Sequence, residues 1–544
     1  MTRAYPVLIE THGKQSYVFA TGRRRDAVGA SYLVHAVTDT ARDALGPTGR
    51  IADGAPAELL VATSGTVLAF LVDRDRAVAL VRAVTRATLT DAPGLGVTGV
   101  VGDAVEWDSG GAPAAVAAVF RRMGVVRHSR PVPAARFPMT PLSEPCPSSG
   151  LPVAGLVRIG EDLEPRSAPS IAKRRAVDAA VRRLAALSGL DHATMWRATE
   201  MLAGDGDEAP ERVAVIHADG NGLGGLVARL GDRITPGPGE GPDTAYARGY
   251  REFSDALVRS AEGALRAAIA ELAAAGRVPV VLPLIVGGDD LTFVADAADA
   301  PALAALVLRR FVELAAAEPA LAGPVAGTSG VGDPRLGMGA GMVITGPHFP
   351  FDAAYALAEE LLTDVAKTAK TVLLDDRGRP VPCVSLAYHV QSDTVATGNA
   401  QRVAALCVDG RSLTGGPYVD LVPAGAPERD LAVDSETWLH HRDLDELFAV
   451  ARRLGAVRDG RRELPSAQVH EIRSRLRPDP AAADQYLRRL VAVDPQRWGF
   501  LDEGADPAAA TLFTDRAGEP PTSRFLDALT LAPFTGSAQD VTTA

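Results

Sequence analysis

Three carboxylates, Asp219, Asp289 and Asp290, have the spacing and flanking residues expected of a metal-dependent phosphoryl-transfer site. Asp219 follows an apolar run, Val213 to His217, and precedes the glycine-rich stretch Gly220, Asn221, Gly222, Leu223, Gly224. Asp289 and Asp290 follow Gly287 and Gly288 in a turn between two further apolar runs, 70 residues after Asp219. If both strands are central in one sheet, the acids meet at one edge. Clustered anions repel and raise one another's pKa unless a cation neutralises them. Mg²⁺ or Mn²⁺ suits oxygen ligands and leaves room for phosphate oxygens. Glycines before Asp289 allow a tight turn and close approach of a ligand, and backbone N–H groups after Asp219, beside a helix start, would cradle phosphates. Gly-Gly-Asp-Asp alone is also an ordinary hairpin turn; its coupling to Asp-Gly-Asn-Gly one crossover earlier is what points to a metal site. Lys367 ends a helix predicted over 352–367 and lies off its apolar stripe of Ala354, Ala358, Leu361 and Val365. It is therefore a candidate phosphate ligand, against the plainer role of a cation at a helix C-terminus.

The elements that must position these residues repeat. Strand-like runs at 5–11, 58–63, 67–72 and 96–101 alternate with helical patterns at 27–45 and 76–88 in the order βαββαβ, a ferredoxin-like arrangement. The same order returns with strands at 213–217, 278–286, 291–295 and 337–345 and helices at 246–275, 302–316 and 352–367. Laid gaplessly on one another, 284–296 covers 61–73 and 216–223 covers 9–16, which sets Asp219 over His12 and Asp289-Asp290 over Thr66-Val67. Such an alignment implies a duplication whose first copy has lost the acids. Residues 126–168 are rich in Pro and Ser and read as connector, 170–203 as helical, and the chain beyond 390 as mainly helical. The expected class is α+β.

The chain has 544 residues, 56 Lys plus Arg against 67 Asp plus Glu, and a net charge of −11, which excludes a generally basic nucleic-acid coat. Only four of those cations are lysines (Lys14, Lys173, Lys367, Lys370). Three scattered cysteines fit a reducing, cytoplasmic setting, and no apolar run is long enough to span a membrane. Arginines at 23–25 and 452–477 could touch RNA or a partner subunit, although Asp459, Glu463 and Glu471 among the latter favour a solvated helix face.

HADGNGLG followed by VGGDDLTFVAD resembles the palm domain of Cas10, the large subunit of type III CRISPR effectors, and more distantly GGDEF and class III nucleotidyl cyclases. MGAGMVITGPHFPFDAAYALAEELLTDVAK continues the match, KQSYVFATGRRRDAVGASYLV resembles the first palm of that family, and REL-PSAQVHEIRSRL its C-terminal helical part. The resemblance implies a degenerate first palm over 1–125, a connector over 126–208, a second palm with the Gly-Gly-Asp-Asp site over 209–390 and a helical domain over 391–544. It implies an enzyme joining ATP into cyclic 3′–5′ oligoadenylates with two Mg²⁺ or Mn²⁺ ions. Asp219, Asp289, Asp290 and the Gly220 carbonyl would be metal ligands, and Gly220, Asn221, Gly222, Leu223, Gly224, Gly287, Gly288 and Lys367 would bind nucleotide. Guide-RNA effector subunits and target RNA would be partners. An HD nuclease domain is not expected, and Cys146, with Ser149 at the place of a Cys-x-x-Cys partner, is not expected to hold zinc. The alternatives are a GGDEF-like cyclic dinucleotide synthase, opposed by Asp290-Leu291 in place of Glu-Phe, and a scaffold that binds nucleotide or RNA without catalysis.

Overall fold

A computed structural model describes residues 2–535, apart from 21–22, 130, 132, 160, 204–208, 322–335, 393–397, 422–430, 459, 505–509 and 516–518. In the first unit, β1 (Arg3–His12) leads through α1 (Lys14–Phe19) and α2 (Arg24–Leu45) to the hairpin β2 (Ala57–Thr63) and β3 (Thr66–Leu71). Then come α3 (Arg74–Asp91), β4 (Gly96–Val101), the short β5 (Val105–Glu106) and α4 (Ala112–His128). The strand order is β2-β3-β1-β4, with β5 against β1. β1 is central because Val7, Leu8 and Ile9 are apolar on both faces and wholly buried.

The connector is more ordered than its Pro and Ser content suggests. It contains the hairpin β6 (Val153–Ile159) and β7 (Asp162–Ser167), and then α5 (Ala168–Arg175), α6 (Val177–Ser188) and α7 (His192–Ala203). The turn at Cys146 meets the start of α5. Ser149 Oγ lies 2.9 Å from Ser167 Oγ, Ser167 Oγ 3.1 Å from Ser170 Oγ, and Cys146 Sγ 3.9 Å from Ser170 Oγ. Burial pushes the Cys146 thiol up, but the Ser148 and Ser149 hydroxyls outweigh it and bring the pKa down to about 6.

The second unit repeats the first. β8 (Val213–Gly220), α8 (Leu223–Ala228), α9 (Pro242–Ala274), the hairpin β9 (Val281–Gly287) and β10 (Asp290–Asp296), α10 (Ala300–Ala317) and β11 (Met338–Thr345) follow in order. The inner strand order, β11-β8-β10-β9, is that of the first sheet. Two strands extend it: β12 (Cys383–Val390) runs parallel to β11, and Tyr418–Leu421 closes the edge. The mostly helical remainder packs beyond that edge.

The two units form one packed body. One core joins Leu8 and Phe70 of the first sheet to Ile216 and Phe293 of the second, and the other joins Ile9 and Val67 to Val215 and Val294. The N-terminal end of α9 is pinned to the first unit, with Trp107 Nε1 donating to Thr244 Oγ1 at 3.1 Å and Gly110 N and Ala112 N donating to Asp243 at 3.1 and 2.8 Å. The two hairpin tips also touch, with Ser64 Oγ donating to the Val286 carbonyl at 3.3 Å. A Cβ on Gly287 would lie 1.5 Å from Ser64 Oγ, so only glycine fits this seam.

The pairing register corrects the gapless alignment of the copies. Thr63 faces Thr66 in the first hairpin and Gly287 faces Asp290 in the second, so Asp290 corresponds to Thr66 and Asp289 to Gly65. Thr66 in turn faces Glu10 in the first sheet, while Leu291, next to Asp290, faces Ala218, next to Asp219. Asp219 therefore corresponds to Glu10, not to His12. The left-handed glycines that begin the two short helices, Gly13 (φ 62°) and Gly222 (φ 80°), obey the same offset. The first copy thus keeps an acid on β1. His12 instead shares a 3.1 Å hydrogen bond with Thr98.

Candidate functional site

Asp219 lies near the C-terminal end of β8, and Asp289 is the second residue of a two-residue turn begun by Gly288 (φ 66°). Asp290 opens β10. Because side chains alternate along strands, His217 and Asp219 share one face of the sheet with Asp290 and Thr292. Asp289 folds over Gly220, where a Cβ would approach Asp289 Cβ to 2.9 Å. Burial first, and then the nearby Asp219 charge, push the Asp289 carboxyl up to about 7. Burial and Asp219 likewise push Asp290 up to about 7, while Lys14 and Lys367 pull the other way. The Asp290 side chain is 41% exposed overall, yet its Oδ1 is closed to solvent and has no hydrogen-bond partner.

The acids thus share an edge without sharing one centre, and among the described residues no three His, Cys, Asp or Glu side chains converge on a cation position. The Lys367 ammonium stands there instead, in an ion pair with Asp219. The helix carrying it is not the regular one expected over 352–367. An α-helix, Phe351–Glu360, widens into a π-turn, Leu361–Val365, and tightens into a 3₁₀ turn, Ala366–Thr368. Such turns rotate the following side chains, here toward the sheet edge and not into open solvent.

The loop after Asp219 has a matching feature. Asn221 N donates to the Gly337 carbonyl at 2.9 Å, but both polar atoms of its side chain are buried without partners. Gly222 begins α8 with Gly224 exposed behind it, whereas Leu223 is buried and offers only its backbone. Gly287 faces the first unit across the seam, so it shapes the hairpin and does not line the acid side.

Several residues at the site were not anticipated. His217 Nδ1 lies 3.0 Å from Thr292 Oγ1 and 3.6 Å from Asp290 Oδ1, and burial holds its pKa below the ordinary imidazole value. Its Nε2 lies 3.5 Å from the Tyr355 hydroxyl, which accepts from Gln15 Nε2 of the first unit at 2.7 Å. Beside Gln15, Lys14 is pushed down by burial and held up by Asp290 and Glu10. The period-2 spacing of His217 and Asp219, and the scarcity of lysine, were the available sequence signals; Gln15, Thr292 and Tyr355 had none. The arginines at 23–25 are engaged within the chain, Arg24 buried on the Leu202 and Pro347 carbonyls, Arg25 on Glu200 and Arg23 on Glu164.

A βαββαβ sheet with acids at the end of its first strand and in its central hairpin, over a glycine-rich loop, defines a palm-type domain. Residues 212–372 match the family described as Cas10/Cmr2, second palm domain, so that part of the chain is a Cas10-type palm. Among solved structures, a Csm1-Csm4 cassette in complex with cA4 aligns over 98% of this chain and 70% of that one, at 12% identity and a TM-score of 0.49. Csm1 in T. onnurineus aligns over 99% and 70%, at 14% identity and a TM-score of 0.47. At these scores the likeness says nothing of function. No curated protein matches the chain. Among the described residues no helix is long and apolar enough to cross a membrane.

Proposed function

We propose that the chain is a nucleotidyltransferase that joins ATP into cyclic 3′–5′ oligoadenylates within a type III CRISPR effector, with guide-RNA subunits and target RNA as partners. The observation that carries this reading is Asp289 folded over Gly220, next to Asp219 and pushed up to about 7 by burial and that neighbouring charge, beside a loop whose Asn221 side chain lacks partners. Neighbouring carboxylates whose charges oppose one another mark a place where a divalent cation is favoured. The oxygen donors of Asp219 and Asp289 are of the kind Mg²⁺ or Mn²⁺ takes, and Asp290, whose Oδ1 has no hydrogen bond, would have to turn toward them to complete the set. Such ions, when bound, would lower the pKa of a ribose 3′-hydroxyl and offset charge in the transition state.

The chain's own residues do the rest. The 3′-oxygen of one ATP forms a bond to the α-phosphorus of another as the bond to pyrophosphate breaks, and the hydroxyl proton leaves to solvent. Lys367 exchanges Asp219 for the triphosphate, Asn221 supplies its amide to a phosphate oxygen, and Thr292 and His217 fix Asp290. Lys14 adds positive charge from the first unit, and the Gln15 to Tyr355 contact holds the two units in register for in-line attack. The test is product identification by mass after incubating the protein with each NTP and Mn²⁺. Asp289→Asn with Asp290→Asn removes charge at constant shape and is expected to abolish product; undiminished turnover in that variant would refute the assignment of the site, and no product from the wild-type chain would favour the scaffold.

A further inference from the structure

The Arg-rich stretch at 452–477 is not a uniformly solvated face. On its helix Ser466–Leu476, Glu471 takes up Arg475. Arg473 and Arg477 stand four residues apart, on one face, and both are exposed with no ion pair to any described residue. They form one wall of a cleft of 460 Å³ between the second palm and the C-terminal helices. Its floor is the end of β12 at Tyr388–Gln391, and Gln401 and Arg402 line the other wall. A second cavity of 530 Å³ continues from it, sharing Val390, Ser392, Arg473 and Thr530.

Arg402 is 7% exposed. Its Nη atoms donate to Asn399 Oδ1, the Tyr388 carbonyl and Thr414 Oγ1 at 3.3, 3.4 and 3.3 Å, but its Nε is buried without a partner and no carboxylate is in ion-pair range among the described residues. The acid nearest in the lining, Asp527, is already occupied by Tyr418 Oη at 2.6 Å, Gly415 N at 2.9 Å and Thr414 Oγ1 at 3.0 Å. Asp527 offsets part of the Arg402 charge through Thr414, but at that remove it leaves the buried Nε unpaired; an anion reaching that edge would complete its hydrogen bonding, and paired guanidinium forks suit phosphate oxygens.

We propose that this cleft binds a phosphorylated small molecule of nucleotide size, its phosphates held by Arg473, Arg477 and Arg402. The volume lies within the roughly 300–1,000 Å³ range of small-molecule sites. It is separate from the acid edge. Val390 pairs with Ile344, which faces Ala214, and Asp219 lies five positions further along β8, about 17 Å along the strand. The proposal does not depend on catalysis.

The test is equilibrium dialysis of ADP against the full chain in EDTA, where a metal-dependent site does not compete. One equivalent of ADP is expected to bind and to be displaced by pyrophosphate and not by adenosine. Arg473→Gln with Arg477→Gln is expected to weaken it at least tenfold, while Arg489→Gln on the neighbouring helix, and Asp289→Asn with Asp290→Asn, leave it unchanged. Circular dichroism checks that each variant is folded. Absence of binding, equal loss with Arg489→Gln, loss with the acid variants, or displacement by adenosine alone would each overturn the proposal. So would a 5′-phosphorylated RNA hexamer binding while ADP does not, which would make the cleft a strand site.

Discussion

In the metal-free protein Asp289 is held in a setting that penalises its charge, and this can be measured without any enzymatic assay. Its folded-state pKa is about 7, against an ordinary value of 3.8. The folded state therefore holds the proton more tightly than the unfolded chain does. The sign follows: stability is full below about pH 4, falls as the pH rises toward 7, and is flat above. The difference of 3.2 units (7 − 3.8), at 1.36 kcal/mol per unit, sets a ceiling of about 4 kcal/mol. Because the side chain is only partly buried and lies beside the Asp219 charge, screening reduces the realised effect to about 1–2 kcal/mol. Asp289→Asn keeps the shape and removes the ionisation. In EDTA, the melting temperature of the variant is expected to match wild type near pH 4 and to exceed it by several degrees at pH 8, since about 1 kcal/mol moves a domain of this size by 2–4 °C. Added Mn²⁺ is expected to raise wild type at pH 8 and to leave the variant nearly unmoved. Parallel melting profiles for the two proteins across pH 4–8 would refute the reasoning.

Two further substitutions test the packing. Gly287→Ala forces a Cβ against Ser64 Oγ at the seam; it is expected to cost about 1–3 kcal/mol in denaturant unfolding, and Ser64→Gly on the same chain should recover part of it, so strictly additive effects would count against a direct contact. Ser149→Cys, Ser167→Cys and Ser170→Cys together would join Cys146 in a four-thiolate set built on two x-x turns; one equivalent of zinc is expected by metal analysis, against none in the single Ser149→Cys variant.

The repeated βαββαβ order was legible because hydrophobic runs and helical periods depend on neighbours in sequence. The acids were legible for the same reason, since glycine and aspartate mark turns. Pairing register was not. Matching similar side chains set Asp219 over His12, whereas the hydrogen-bonded ladder sets it over Glu10, because a slide of two residues leaves every side chain on the same face and the apolar pattern unaltered. The strand Tyr418–Leu421 belongs to a sheet begun some 200 residues earlier, and nothing local announces such a partner. The hairpin β6–β7 was hidden by weak strand content, its residues being half-exposed and its burial coming from α5. Lys367 was legible as a cation near the site, but its hold on Asp219 depends on a π-turn that periodicity averages away.

The contact of Ser64 with the Val286 carbonyl joins the tip regions of two related hairpins. Palms that pair as separate molecules find each other by diffusion and separate on dilution; here both are parts of one polypeptide, so their mutual local concentration is fixed by the chain. The arrangement has no dissociation constant to tune and cannot be diluted into inactivity. It also breaks the equivalence of the partners. With the second tip always present, the first is released from carrying Asp at the places of Asp289 and Asp290, where Gly65 packs against Thr11 of its own sheet and Thr66 pairs with Thr63 and Glu10.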